Sequence, residues 1–133
     1  MLVTIIIPCF NEKESVKALL EKVLEQKYFD KQIILVDDCS NDGTTDLIRD
    51  ELEKMVDQVI YQKNNKGKGA AIREALPFVK GEIVIIQDAD LEYEPSDYKT
   101  LTDPIINQNK KVVYGSRVLG KSRYFSAGFF AWY

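Results

Sequence analysis

The 133-residue chain suits one compact domain; its 45% apolar residues can form a core, and its 29% charged residues and net charge of −3 exclude a disordered polar chain and a general nucleic-acid binder. It contains no histidine, which excludes Ser-His-Asp hydrolysis, Cys-His proteolysis and histidine-ligated zinc, and leaves chemistry to carboxylates, cations, backbone dipoles or an oxygen-ligated metal. No apolar run reaches the roughly 18 residues of a membrane span, and Met1–Thr4 lacks the basic start of a secretory signal. With only Cys9 and Cys39, read as small fillers, a reducing cytoplasm is the expected setting.

Val3–Ile7 is a continuous β-branched run closed by Pro8 and predicts a strand buried on both faces. Asn11 with Glu14 has the spacing of a capping box, and Val16, Leu19, Leu20, Val23 and Leu24 continue it as a helix to about Gln26. A second strand is expected over Ile33–Val36, followed by turn chemistry at Ser40–Gly43 and a helix over Thr44–Lys54. Val59–Tyr61 predicts a third strand. The loop Asn64–Gly69 opens a helix through Leu76, and Ile83–Ile86 predicts a fourth strand. Ser96 is the expected cap of a helix carrying Tyr98, Leu101, Ile105 and Ile106, and Val112–Tyr114 the expected fifth strand. Alternation of short strands with helices implies right-handed β-α-β units in a mostly parallel sheet, whose ligands sit outside the carboxyl ends of the strands.

The conspicuous polar residues fall at those ends. Asp88-Ala89-Asp90 leaves the fourth strand with two carboxylates at i and i+2 and little bulk between them. This suits Mg²⁺ or Mn²⁺ held jointly with a diphosphate, a solvated acidic turn being the alternative. Asp37-Asp38 ends the second strand; we expect one of the pair to cap the following turn and the other to accept from a ribose or base. Lys66-Gly67-Lys68-Gly69 lets backbone and helix dipole approach an anion, although it matches neither the Walker nor the dinucleotide pattern; a flexible cationic helix start is the alternative. Pro104–Tyr133 holds no acidic residue but five basic ones, including Arg117, Lys121 and Arg123, and ends in six aromatics between Tyr124 and Tyr133. That end is expected to meet a partner, a membrane or a further part of a longer chain, and a homo-oligomer through it is one such arrangement.

Taken in order, Ile6–Glu12, Val36–Thr44, Asn65–Gly69, Gln87–Glu92 and Tyr114–Arg117 resemble the nucleotide-sugar-binding half of a family 2 glycosyltransferase with the GT-A fold, nearest to the polyprenyl-phosphate mannose and glucose synthases. The resemblance implies a Rossmann-like α/β donor-binding domain over residues 1–133, with the acceptor-binding region incomplete or missing. It implies that Pro8, Phe10, Glu12, Val36 and Asp38 hold the base and ribose, with Asn11 and Lys68 also among the nucleotide-sugar-binding residues. Asp88, Ala89 and Asp90 would meet the diphosphate, Asp88, Asp90 and Glu92 would hold Mg²⁺ or Mn²⁺, and Arg117 would join Asp88 and Asp90 in the catalytic set. The implied reaction is inverting transfer of a hexose from a nucleoside-diphosphate sugar. The acceptor would be a polyprenyl phosphate, reached by a cytoplasmic protein at the membrane face. A soluble or polysaccharide acceptor and a binding module without turnover are the alternatives. A phosphoacceptor receiver domain fits poorly, because Pro8-Cys9 stands where its acid pair would end the first strand.

Overall fold

The structure, a computed structural model, describes residues 1–115. The chain divides into two compact units, Met1–Ser96 and Asp97 onward.

The first unit is built on four parallel strands, β1 (Leu2–Cys9), β2 (Asp30–Asp37), β3 (Gln58–Tyr61) and β4 (Ile83–Ile86), in the order β3-β2-β1-β4. β1 and β2 pair in step from Leu2 opposite Asp30 to Cys9 opposite Asp37. Both run longer than the apolar cores Val3–Ile7 and Ile33–Val36, because ladder pairing extends strands past the residues whose burial drives them. Isoleucine and valine suit these positions, since a β-branched side chain packs well on a pleated surface. Ile6, Ile34 and Val36 form one fully buried face with Ala71 and Ala75 packed on it. Ile5, Ile7 and Leu35, which alternate with them, are equally buried, so the central strands are covered on both sides.

Three helical segments connect these strands. Helix α1 (Val16–Glu25) buries Val16, Leu19, Leu20 and Val23 in an i, i+3, i+4, i+7 stripe. The expected Asn11–Glu14 capping box does not form: Asn11 adopts a left-handed conformation (φ 53°), and α1 starts after Ser15, with the Glu12 carbonyl accepting the amides of Ser15 and Val16. The expected helix over Thr44–Lys54 is α-helical only at α2 (Thr44–Leu47) and continues as a π-turn (Ile48–Leu52) and a 3₁₀ turn (Glu53–Met55). Widening at the π-turn still leaves Thr44, Ile48 and Leu52 buried. Helix α3 (Lys68–Ala75) turns only alanines, Ala71 and Ala75, fully inward.

A buried polar network fixes the entry to β4. Thr4 Oγ1 donates to Gln32 Oε1 at 2.6 Å and accepts the Gly81 amide at 2.8 Å, while Gln32 Nε2 donates to the Phe78 carbonyl. Gly81 is required here by space: a Cβ would lie 2.5 Å from the Thr4 nitrogen.

In the second unit, α4 (Tyr98–Gln108) buries Tyr98 and Thr102 and closes on Asn109 in the left-handed conformation, with the Lys110 amide donating to the Pro104 carbonyl. Ser96 does not cap it, because a 3₁₀ turn (Pro95–Asp97) precedes and Asp97 occupies the cap position. Val112–Tyr114 forms no strand among the described residues, and Val112 and Tyr114 are exposed. Arg117, Lys121, Arg123 and the terminal aromatics lie outside the described residues.

Candidate functional site

Strand order determines where a ligand can enter. The chain runs from β1 outward to β2 and β3, then returns to place β4 on the other side of β1, so the switch point lies at the carboxyl ends of β1 and β4. Pro8 opens that gap. The Ile6 carbonyl accepts from Gln87 on the β4 side and the Cys9 carbonyl from Asp38 on the β2 side, so alternation turns Pro8 toward β4, past its last strand residue. A proline there sacrifices no ladder bond and ends the pairing.

The resulting cleft has a volume of about 250 Å³. Pro8, Phe10 and Glu12 from the β1 exit line one side and Asp88, Ala89 and Asp90 from the β4 exit another, with Asp38 and Lys68 also reaching it. Ala89 is buried while its two acidic neighbours are half-buried, and all three residues line the same opening. Phe10 is 42% exposed, a large apolar surface at the mouth of a polar site.

Hydrogen bonds hold the two exits together. Ser15 Oγ lies 3.0 Å from Glu12 Oε2 and 2.9 Å from the Ala89 carbonyl, bridging the start of α1 to the acidic turn. Gln87 Nε2 donates to the carbonyls of Asp88 and Tyr93, and the Glu92 amide donates to Asp90 Oδ1. Burial raises the carboxyl pKa of Asp90, and the Asp88 and Glu92 carboxylates add to the rise against the hydrogen bond from the Glu92 amide. Burial likewise raises Glu12, opposed by the Ser15 hydroxyl and reinforced by Asp90. Among the described residues the cleft therefore concentrates hard, anionic oxygen donors beside one cation, Lys68, which pairs with Asp88 Oδ1.

The adjacent acids Asp37 and Asp38 divide their work. Asp37 accepts from the Ser40 hydroxyl at 2.6 Å and the Thr45 hydroxyl at 2.5 Å and so ties the turn to α2. Asp38 takes the amides of Lys66 and Gly67 at 2.9 and 2.8 Å and the Gln62 side chain at 3.2 Å. Its carboxylate thus folds the Lys66–Gly69 loop, a role the sequence reading missed, while still reaching the cleft. Other expected residues lie elsewhere. Asn11 pairs through its side chain with Asn41, Val36 belongs to the core beneath α3, and Glu92 is not among the residues lining the cleft. No cluster of three or more acidic or cysteine side chains with metal-binding geometry occurs among the described residues. A cation here would take Asp88 and Asp90 together with ligand oxygens, the arrangement Mg²⁺ and Mn²⁺ favour. Arg117 lies outside the described residues.

Known proteins resemble this chain in sequence and in fold. An undecaprenyl-phosphate 4-deoxy-4-formamido-L-arabinose transferase of Aeromonas hydrophila is 39% identical over 112 residues, covering 77% of this chain and 33% of its own length. A dolichyl-phosphate beta-glucosyltransferase of Trichomonas vaginalis is 30% identical and covers 91% of this chain and 41% of its own. The chain therefore spans about a third of the one relative and about two fifths of the other. A mannosyltransferase from Pyrobaculum calidifontis, solved with GDP-Man and Mn²⁺, superposes with a TM-score of 0.60 at 33% identity over 66% of this chain and 27% of its own. S. aureus TarS solved with UDP-GlcNAc superposes with a TM-score of 0.68 at 24% identity over 82% of this chain and 32% of its own, a likeness of fold. The Glycosyl transferase family 2 model matches residues 4–127, nearly the whole chain, and the four parallel strands with flanking helices are those of the GT-A glycosyltransferases. The chain belongs to glycosyl transferase family 2.

Proposed function

We propose that the cleft at the β1/β4 switch point is the donor site of an inverting glycosyltransferase, binding a nucleoside-diphosphate hexose with Mg²⁺ or Mn²⁺. The observation that carries this reading is the convergence of Pro8, Phe10 and Glu12 with Asp88 and Asp90 on one opening. Asp88 and Asp90 suit the ion through their hard oxygens and their crowding, which an added cation relieves. Bound there, it would supply positive charge to a departing diphosphate. Phe10 would pack against the base, and the Ser15 bridge would keep the two acidic side chains level with the nucleotide.

The acceptor we propose is a polyprenyl phosphate, as the names of the two relatives suggest. Its phosphate has a second pKa near 6 and is already a nucleophilic dianion at neutral pH, so attack on the anomeric carbon with loss of the nucleoside diphosphate needs no general base. No helix among the described residues is long and apolar enough to cross a membrane, and the proposed setting is peripheral, at the cytoplasmic face.

The deciding experiment is calorimetric titration of UDP and GDP, with and without Mn²⁺, into the wild-type chain and Asp90→Ala. Metal-dependent binding in the wild type that disappears in the variant, with an unchanged circular-dichroism spectrum, supports the donor site. Equal binding by the two proteins overturns it. With donor sugar present, transfer to a short polyprenyl phosphate separates turnover from binding.

A further inference from the structure

Lys68 stands where two features of the molecule meet. It is the first residue of α3, and its backbone is set by the grip of Asp38 on the Lys66 and Gly67 amides just before it. Gly67 has φ 91° with nothing within 4 Å of where a Cβ would be, so glycine is needed there for conformation and not for space. This geometry delivers the Lys68 ammonium to Asp88 Oδ1, in an ion pair whose side chains are 35% and 19% exposed.

The pair occupies a carboxylate that the donor-site reading assigns to a divalent ion. An ammonium and a divalent cation on one carboxylate repel each other, and a lysine has a flexible four-carbon stem on which to leave. A metal-bound diphosphate would bring its own negative oxygens into the same cleft, where Glu12 and Asp90 already disfavour any unpaired anion. Among the described residues that line the cleft, the cation able to meet those oxygens is the one the metal displaces.

We propose that Lys68 is an exchangeable counter-ion. It neutralises Asp88 while the cleft holds no ligand, yields that carboxylate to the incoming divalent ion, and then pairs with the diphosphate. The proposal rests on the donor-site reading and adds to it a coupling between metal and nucleotide. Metal alone takes the carboxylate but leaves the displaced ammonium without a partner, whereas metal with diphosphate gives the ammonium a new one. Such coupling is reciprocal, so each ligand tightens the other.

The test compares the wild type with Lys68→Met and Lys68→Gln. Binding of Mn²⁺ alone is followed by loss of its free-ion electron paramagnetic resonance signal, and binding of UDP and GDP in the presence of Mn²⁺ by calorimetry. Removing the ammonium should tighten Mn²⁺ alone about fivefold, the worth of a partly exposed ion pair. It should also weaken the nucleotide in the presence of Mn²⁺ about tenfold, so that the coupling shrinks from both sides. If both variants bind Mn²⁺ alone no more tightly than the wild type, while the wild type still binds a nucleotide with Mn²⁺, the exchange is wrong and the donor site stands. If the wild type binds neither nucleotide with Mn²⁺, both fall together.

Discussion

The carboxylate of Asp38, 3% exposed, accepts the amide of Gly67 at 2.8 Å and so joins the exit of β2 to the loop that opens α3. Hydrogen bonds from backbone amides to a buried carboxylate are charge-assisted and stronger than neutral ones. Asp38→Ala leaves the Lys66 and Gly67 amides without their acceptor and should cost about 2–3 kcal/mol, read as a lower urea midpoint. Asp38→Asn, which keeps one carbonyl acceptor, should lose less. Equal stability of Asp38→Ala and the wild type would mean that the loop is held by other contacts.

Gly81 lies against Thr4 so closely that no side chain fits without moving backbone. Gly81→Ala should destabilise the chain by about 2–4 kcal/mol through overpacking, measured by thermal or urea unfolding. Thr4→Val keeps the shape but removes the hydroxyl shared by Gln32 and Gly81, and should cost about 1–3 kcal/mol.

Phe10, 42% exposed, has an apolar ring at the mouth of the cleft. Phe10→Ala should weaken nucleoside diphosphate by about 1–3 kcal/mol if the ring stacks on the base. Unaltered affinity, measured by calorimetry, would remove Phe10 from the base-binding wall.

Burial pushes the Cys9 thiol up to about 12, and the nearby Asp37 and Glu12 carboxylates reinforce the shift. At pH 8 the native chain should resist iodoacetamide at Cys9 and take up the label there only after unfolding, as peptide mass spectrometry would reveal. The folded chain holds this proton more tightly than the unfolded chain. The stability linked to Cys9 is therefore complete below a pH of about 9, the free-thiol value, and declines as pH rises toward about 12. Cys9→Ala should flatten that decline.

The parts legible in the sequence were those governed by short-range chemistry. Val3–Ile7 and Ile33–Val36 are runs that only a doubly covered strand accommodates, and the acids following Val36 and Ile86 fall at strand exits once the strands are known. Asn11 misled because its spacing to Glu14 satisfies a capping rule, while its side chain is captured by Asn41, which lies 30 residues away. The Thr4–Gln32–Gly81 network, the Asp38 clamp and the Lys68–Asp88 pair join residues 20 to 77 positions apart, and no local pattern announces such meetings. The Ser15 bridge could have been suspected, since a serine entering a helix beside a strand exit has a free hydroxyl to offer.

The unbroken pairing of β1 with β2, from Leu2 opposite Asp30 to Cys9 opposite Asp37, acts as a spirit level for the rim. Deleting one residue from Ile5–Ile7 would invert the faces of everything beyond it and lower Phe10 and Glu12 by one step, about 3.3 Å, relative to Asp38. Binding at the rim would then fail although every side chain that touches a ligand is still present. Shortening the isoleucine run is in that sense as damaging to function as removing an acid.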